Sequence, residues 1–192
     1  IGSHLVNSLI EAKHDVIVVD NLTTGSEKNL NKNVSFIKGD LSIDSTIKKL
    51  PKNIDYIYHL AAQASNEASC DNPILDNNSN AISTLNLLFY AKKAMVKKFI
   101  FTSTMGVYED HPEVSTEESL INPSAFYGIH KRASEEYIRI FSEEGMNTSI
   151  LRLFNTYGPG QNMTDLRQGM ISIYMSFIKK ELPIQVKGSL ER

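Results

Sequence analysis

Short β-branched runs alternate with helix-period stripes along most of this 192-residue chain, and that alternation constrains the fold more than any other feature. Strand-like segments are Val16–Asp20, Val34–Lys38, Asp55–Leu60, Lys98–Thr102, Thr148–Leu153 and Ile184–Lys187. Each is short, bounded by turn residues and apolar nearly throughout, as a strand buried on both faces requires. Between them lie helical stripes. Gly2–Lys13 carries Leu5, Leu9 and Ile10; Ile43–Leu50 is stopped by Pro51; Pro73–Met95 carries Ile82, Leu85, Leu88 and Phe89. Further helices are expected over Ser124–Glu144, with Asn122 or Ser124 as N-cap, and over Gln168–Lys180. Residues 21–33 read as a loop with a helical turn, and Met105–Pro123 as connection. Strands separated by crossover helices form right-handed βαβ units. The expected fold is therefore α/β, a doubly wound, mainly parallel, Rossmann-like sheet.

Such sheets bind ligands outside the carboxyl ends of their strands. The polar residues of this chain gather there: Asp20, Gly39-Asp40, His59–Gln63, Thr102–Thr104 and Asn155. Asp20 could accept the hydroxyls of an adenosine ribose and would repel a 2′-phosphate, or it could simply form a turn. Gly2 and the amides that follow it open the first helix, where free N–H groups and the dipole favour a pyrophosphate. Asp40 could meet an adenine amino group or complete a Gly-Asp turn. The small residues after His59, Ala61 among them, would let a flat ligand lie against the backbone, while His59 itself suits a buried structural role.

Tyr127 and Lys131 are four apart, so they share one helix face. A nearby cation favours the phenolate and could make Tyr127 a general base, although an exposed amphipathic helix would show the same spacing. Thr104 closes the preceding strand. A hydroxyl, a phenol and an ammonium beside a nicotinamide ring are the parts needed to move a proton while a cofactor takes a hydride.

Twenty basic and 22 acidic side chains leave a net charge of −2, which gives no support to nucleic-acid binding. The lysine pairs at 48–49, 92–93, 97–98 and 179–180 read as solvated surface. One cysteine, Cys70, allows no intrachain disulfide, and a reducing, cytoplasmic setting is the expectation. No apolar run reaches membrane-spanning length, no secretory signal is visible, and no cluster has metal-ligand spacing or forms a Gly-x-Ser-x-Gly elbow.

Six blocks in register carry a family resemblance: Ile1–Leu5, Val18–Leu22, Gly39–Leu41, His59–Gln63, Tyr127–Lys131 and Leu151–Pro159. With them the chain resembles the extended short-chain dehydrogenase/reductases of the NAD-dependent epimerase/dehydratase family, and most closely the UDP-glucose (UDP-galactose) 4-epimerases. The resemblance implies that Gly2, Asp20, Asn21, Asp40, Leu41, Ala61, Asn80, Tyr127 and Lys131 hold NAD. It makes Tyr127 the base, Thr104 a partner of the sugar 4-OH, Lys131 a ribose ligand and pKa-lowering cation, and Asn155 a contact to the nucleotide-sugar, most simply a UDP-sugar. It implies an NAD-binding domain over residues 1–160 and the start of a smaller substrate domain over 161–192. It also implies that this stretch lacks the first strand, two fingerprint glycines and most of the substrate domain, so poor NAD binding and no activity are expected of it alone. Homodimers through paired helices are common in the family.

Within that family, dehydratases and decarboxylases carry an acidic residue between the Ser/Thr and the following Val-Tyr. Here Met105 and Gly106 stand in those places, which argues for epimerisation at C4. The alternatives are a 4,6-dehydratase or decarboxylase, and a non-catalytic NAD-binding homologue. Glu109 replaces a more usual glycine, and Ala64 stands where some galactose epimerases have lysine.

Overall fold

The computed structural model describes residues 1–109, 114–163, 167 and 169–184. It divides into two compact units, Ile1–Phe154 and Asn155–Arg192. The first contains α1 (Gly2–Glu11), β1 (Ile17–Asp20), β2 (Ser35–Lys38), α2 (Asp44–Ile47) and β3 (Tyr56–His59). It continues through α3 (Asn66–Asp71), α4 (Pro73–Asn77), a π-helical turn (Asn78–Ile82), α5 (Ser83–Ala94), β4 (Lys98–Thr104), α6 (Phe126–Glu143) and β5 (Thr148–Leu153). The second contains α7 (Met170–Lys179), entered through Gly169 at φ 79°.

Among the described residues β1–β5 pair in parallel, as the apolar runs predict, in two sheets, and one isolated antiparallel bridge joins Tyr108 to Ile121. β1 pairs with β2, from Ile17 opposite Ser35 to Asp20 opposite Lys38. The other sheet has the order β3-β4-β5. Its central strand extends two residues past the expected end, because Ser103 and Thr104 pair with Arg152 and Leu153. That extension brings Thr104 to the strand terminus. The strand expected at 184–187 falls, apart from Ile184, outside the described residues.

The core is an apolar cluster of Leu41, Leu87, Leu88, Ala91, Phe99, Phe101, Ile138 and Phe141. It joins the inner faces of α5 and α6 to β4. Alternate residues of β4 are fully buried, so the strand's period of two seats Phe99 and Phe101 in this cluster.

Three helical features differ from the sequence reading. The stretch 73–95 is not one regular helix, because a π-turn interrupts it at Asn78–Ile82. The wider turn shifts backbone bonding, and hydroxyls occupy the carbonyls there: Thr84 Oγ1 donates to Asn80 O at 2.6 Å and Ser83 Oγ to Ser79 O at 2.6 Å. An additional helix, α3, starts at Ser65, whose hydroxyl accepts from Ala68 N; Asn72 then caps α4, with Pro73 in its first turn. Finally, α6 begins later than Asn122 or Ser124 would place it. Its N-cap is Ala125, without a side-chain cap bond.

Candidate active site

The carboxyl end of β4 and the first turns of α6 bring Thr104, Tyr127 and Lys131 together. The Thr104 side chain lies close enough to the Tyr127 phenol to favour its ionised form. The Thr104 hydroxyl accepts from Gly106 N at 3.1 Å, which fixes its rotamer. One helical turn on, Lys131 Nζ donates to Thr102 O at 2.8 Å and sits 4.5 Å from the centre of the Phe101 ring. The helix and strand thus run side by side, with residues 127 and 131 matched to 104 and 102.

This fit depends on a small residue. A Cβ on Gly128 would stand 2.3 Å from Gly106 O and 2.9 Å from Pro123 Cβ. Backbone lies directly on backbone here, and only glycine permits it.

The electrostatics differ from the sequence expectation. Lys131 was to lower the Tyr127 pKa, but burial pushes the phenol up and the Asp76 charge adds to the rise, with Thr104 only partly offsetting them. Lys131 is itself buried, and desolvation holds it down to about 7 against the upward pull of Asp76 and Glu135. Its ammonium is directed to a carbonyl and a ring face instead of the phenol.

Two polar clusters that sequence reasoning missed hold α6 in place. In the first, the buried carboxylate of Asp76 accepts from Gln63 Nε2 at 2.5 Å, Asn80 Nδ2 at 3.1 Å and His130 Nδ1 at 2.6 Å. In the second, Arg152 of β5 grips the buried Glu135 through two bonds of 2.9 and 2.8 Å. Arg152 also donates to Tyr108 Oη at 3.0 Å. Burial opposes the Glu135 charge, but the Arg152 and Arg132 bonds outweigh it and hold the carboxyl below its usual value. The i, i+4 spacing of Asp76 and Asn80 and the i, i+4 spacing of Lys131 and Glu135 were the available signals.

The residues expected to hold a dinucleotide are distributed over the strand ends. Asp20 ends β1, where its Oδ1 accepts from Leu22 N at 2.7 Å. A Cβ on Gly25 would stand 3.1 Å from Asp20 Oδ2, so glycine leaves the carboxylate room. Asp40 follows β2, bound by Asn21 Nδ2 at 3.2 Å and by both the hydroxyl and the amide of Ser42. Burial opposes its charge, yet these bonds hold its pKa low. Ala61 is exposed after β3, and Gly2 lies in the first turn of α1. Leu41 packs its side chain in the apolar core, so a ligand contact there falls to its backbone. Asn80 is fully buried, its amide nitrogen shared between Gln63 O and Asp76 while its Oδ1 has no partner. An orphaned buried acceptor and a roomy carboxylate at a strand end both fit a polar, hydroxyl-bearing ligand such as NAD.

Asn155 is exposed and opens the second unit. Glu109, whose place in the family pattern is unusual, accepts from Asn122 Nδ2 at 3.1 Å. His59 is buried, as the sequence reading expected. It is buried between Phe99 and Phe101 and bonded to Thr84, and desolvation followed by the Lys131 charge holds it down to about 3. Among the described residues no helix is long and apolar enough to cross a membrane.

The sequence matches the NAD dependent epimerase/dehydratase family over residues 1–192. The crystal structure of UDP-glucose 4-epimerase from Thermotoga maritima, solved with UDP-glucose, superposes with a TM-score of 0.91 at 36% identity, covering 97% of this chain and 62% of that one. A UDP-N-acetylglucosamine 4-epimerase from Methanobrevibacter ruminantium gives a TM-score of 0.91 at 34% identity, over 98% of this chain and 62% of that one. UDP-glucuronic acid decarboxylase 5 of Arabidopsis thaliana is 36% identical over 200 residues, covering all of this chain and 58% of its own length. The chain therefore spans about three fifths of the length of the relatives it matches.

Proposed function

The chain belongs to the NAD-dependent epimerase/dehydratase family, and from that membership we propose that it carries the cofactor-binding and proton-handling part of a nucleotide-sugar 4-epimerase. The observation that carries this reading is the joining of Thr104, Tyr127 and Lys131 at one strand end, with Met105 and Gly106 following directly. Bound NAD supplies a hydride acceptor and donor for C4 of the sugar. Asp20, Asn21, Asp40, Leu41, Ala61, Asn80 and Gly2 would hold it, with Tyr127 and Lys131 at its reactive end.

Tyr127 removes the 4-OH proton, directly or through Thr104, and returns it after the 4-keto sugar has turned over. Thr104 orients the hydroxyl, because its own rotamer is fixed by Gly106 N. Lys131 is the buried amine of the site, its Nζ held by Thr102 O and its pKa drawn down by burial to about 7. Asn155 contacts the nucleotide-sugar. Tyr108 and Met105 flank the turn where dehydratases and decarboxylases need an acid, and the nearest carboxylate in sequence, Glu109, is tied to Asn122. That arrangement supports epimerisation over elimination.

The similarity to the decarboxylase favours a second reading, in which the same 4-keto chemistry ends in loss of carbon dioxide or water. Assay of the full-length protein without added reductant, with UDP-galactose and in parallel with UDP-glucuronic acid, which carries the carboxylate that decarboxylation needs, separates the two. UDP-glucose as sole product supports the first reading, and a decarboxylated or dehydrated sugar the second. Tyr127→Phe is expected to lower kcat by about 10² or more. Wild-type turnover in that variant would exclude Tyr127 as the base.

A further inference from the structure

We propose that Asp76 and His130 form a positioning pair for the reactive turn of α6, with His130 tying that helix to α4 and Asp76 keeping an anion against the residue next to Lys131. Three observations carry it. Asp76 is completely buried, and a buried carboxylate persists only when it is bonded on several sides. Its three donors come from three separate elements: Gln63 after β3, Asn80 in the π-turn and His130 on α6. And His130 lies between the two proton-handling residues, one position before Lys131 and three after Tyr127, so a bond at His130 fixes the height and rotation of that turn.

The His130–Asp76 contact also settles the tautomer. A carboxylate oxygen only accepts, so Nδ1 carries its proton towards Asp76. The ring then stacks on Phe126, with centroids 6.3 Å apart.

The charge acts in two directions. Asp76 raises the proton affinity of Lys131, and it raises that of Tyr127. The first effect dominates at neutral pH. Burial draws Lys131 down to about 7, where its charge responds to small changes, whereas burial raises the Tyr127 phenol above its ordinary value. Removing Asp76 therefore costs the lysine cation and leaves the phenol almost entirely protonated. Glu135, the other carboxylate acting on Lys131, is occupied by Arg152 and Arg132. His59 faces the same lysine and is held neutral by burial.

The pair rests on the epimerase reading for its effect on turnover, but its electrostatic part can be read without substrate. In the full-length protein labelled with ¹³Cε-lysine, the Lys131 resonance, assigned by its loss in Lys131→Met, is titrated against pH. Asp76→Asn is expected to move its midpoint to lower pH by roughly one pH unit. His130→Phe, which keeps the ring and removes the donor, is expected to lower kcat about tenfold with KM within about twofold, and His130→Gln, which keeps a donor, to restore most of that loss. A Lys131 midpoint unmoved in Asp76→Asn, or His130→Phe turning over like wild type, would overturn the proposal. If wild-type protein shows no sugar turnover, the function reading fails and the titration alone decides the pair.

Discussion

Gly128→Ala tests whether direct backbone packing of α6 sets the site. The added Cβ would lie 2.3 Å from Gly106 O, where even 3.0 Å is rarely met, so α6 must lift from the Thr104–Tyr108 turn by about 0.7 Å. The obstacle is a backbone carbonyl, which cannot rotate away as a side chain would. Overpacking of this size costs roughly 1–3 kcal/mol. Alanine in place of a helical glycine returns about 0.8–1 kcal/mol. The expected net destabilisation is thus small, about 0–2 kcal/mol, readable as a modest fall in the urea midpoint at unchanged slope. Turnover should suffer more. The lift separates Tyr127 from Thr104, and misplacement approaching 1 Å can cost up to about 10² in rate. We expect kcat of the full-length protein to fall about tenfold or more. A Gly128→Ala variant with wild-type midpoint and wild-type kcat would refute the claim that contact with Gly106 positions the phenol.

His59 should make stability acid-sensitive. Its folded pKa is depressed from 6.5 to about 3, so the unfolded chain binds the extra proton, and stability is full above about 6.5 and lost progressively down to about 3. The ceiling is about 5 kcal/mol, and His59→Leu should flatten that part of the pH–stability curve measured by urea denaturation. Arg152→Met strands the buried Glu135 carboxylate and should cost about 3–5 kcal/mol, whereas the double variant Arg152→Met/Glu135→Leu should recover much of it; equal losses in both would refute the pairing. Leu88→Ala removes a fully buried side chain from the core and should lower stability by about 2–5 kcal/mol by chemical denaturation.

Strand positions were legible because short β-branched and aromatic runs bounded by turn residues mark strands, although none of β1–β5 has the two fully buried faces that the runs suggested: β4 buries only alternate residues and the others are half-exposed. Val18 to Asp20 and Phe99 to Phe101 were read correctly for that reason. The two added residues of β4 were not, since Ser103 and Thr104 are polar and join the strand only through pairing with Arg152 and Leu153. The π-turn was invisible for a related reason. Helical periodicity in 73–95 survives one widened turn, and what stabilises that turn is the set of hydroxyls at Ser83, Thr84 and Ser134 bonded to carbonyls, two of them on Asn80. Thr104 was singled out from its place at a strand end, and Tyr127 and Lys131 from their four-residue spacing on one helix face. Asp76 and Glu135 were missed because each reads as an ordinary acidic residue of an amphipathic helix, and only the tertiary fold shows that both point inward.

That distinction changes how the tyrosine is to be understood. Spacing alone suggests a two-residue device in which Lys131 polarises Tyr127. The packed site contains a larger charge system: two buried carboxylates, Asp76 and Glu135, one lysine on which both act, and a phenol that feels Asp76 as a repulsive neighbour. Burial works against both members of the pair, raising the phenol and lowering the ammonium. Burial first, and the Asp76 charge after it, therefore hold the proton on Tyr127, and added positive charge beside the phenol would favour its release. An oxidised nicotinamide carries such a charge and a reduced one does not. In the epimerase reading proposed above, Tyr127 and Lys131 would hold the reactive end of NAD, so a tyrosine so placed would keep its proton until such a charge lay beside it.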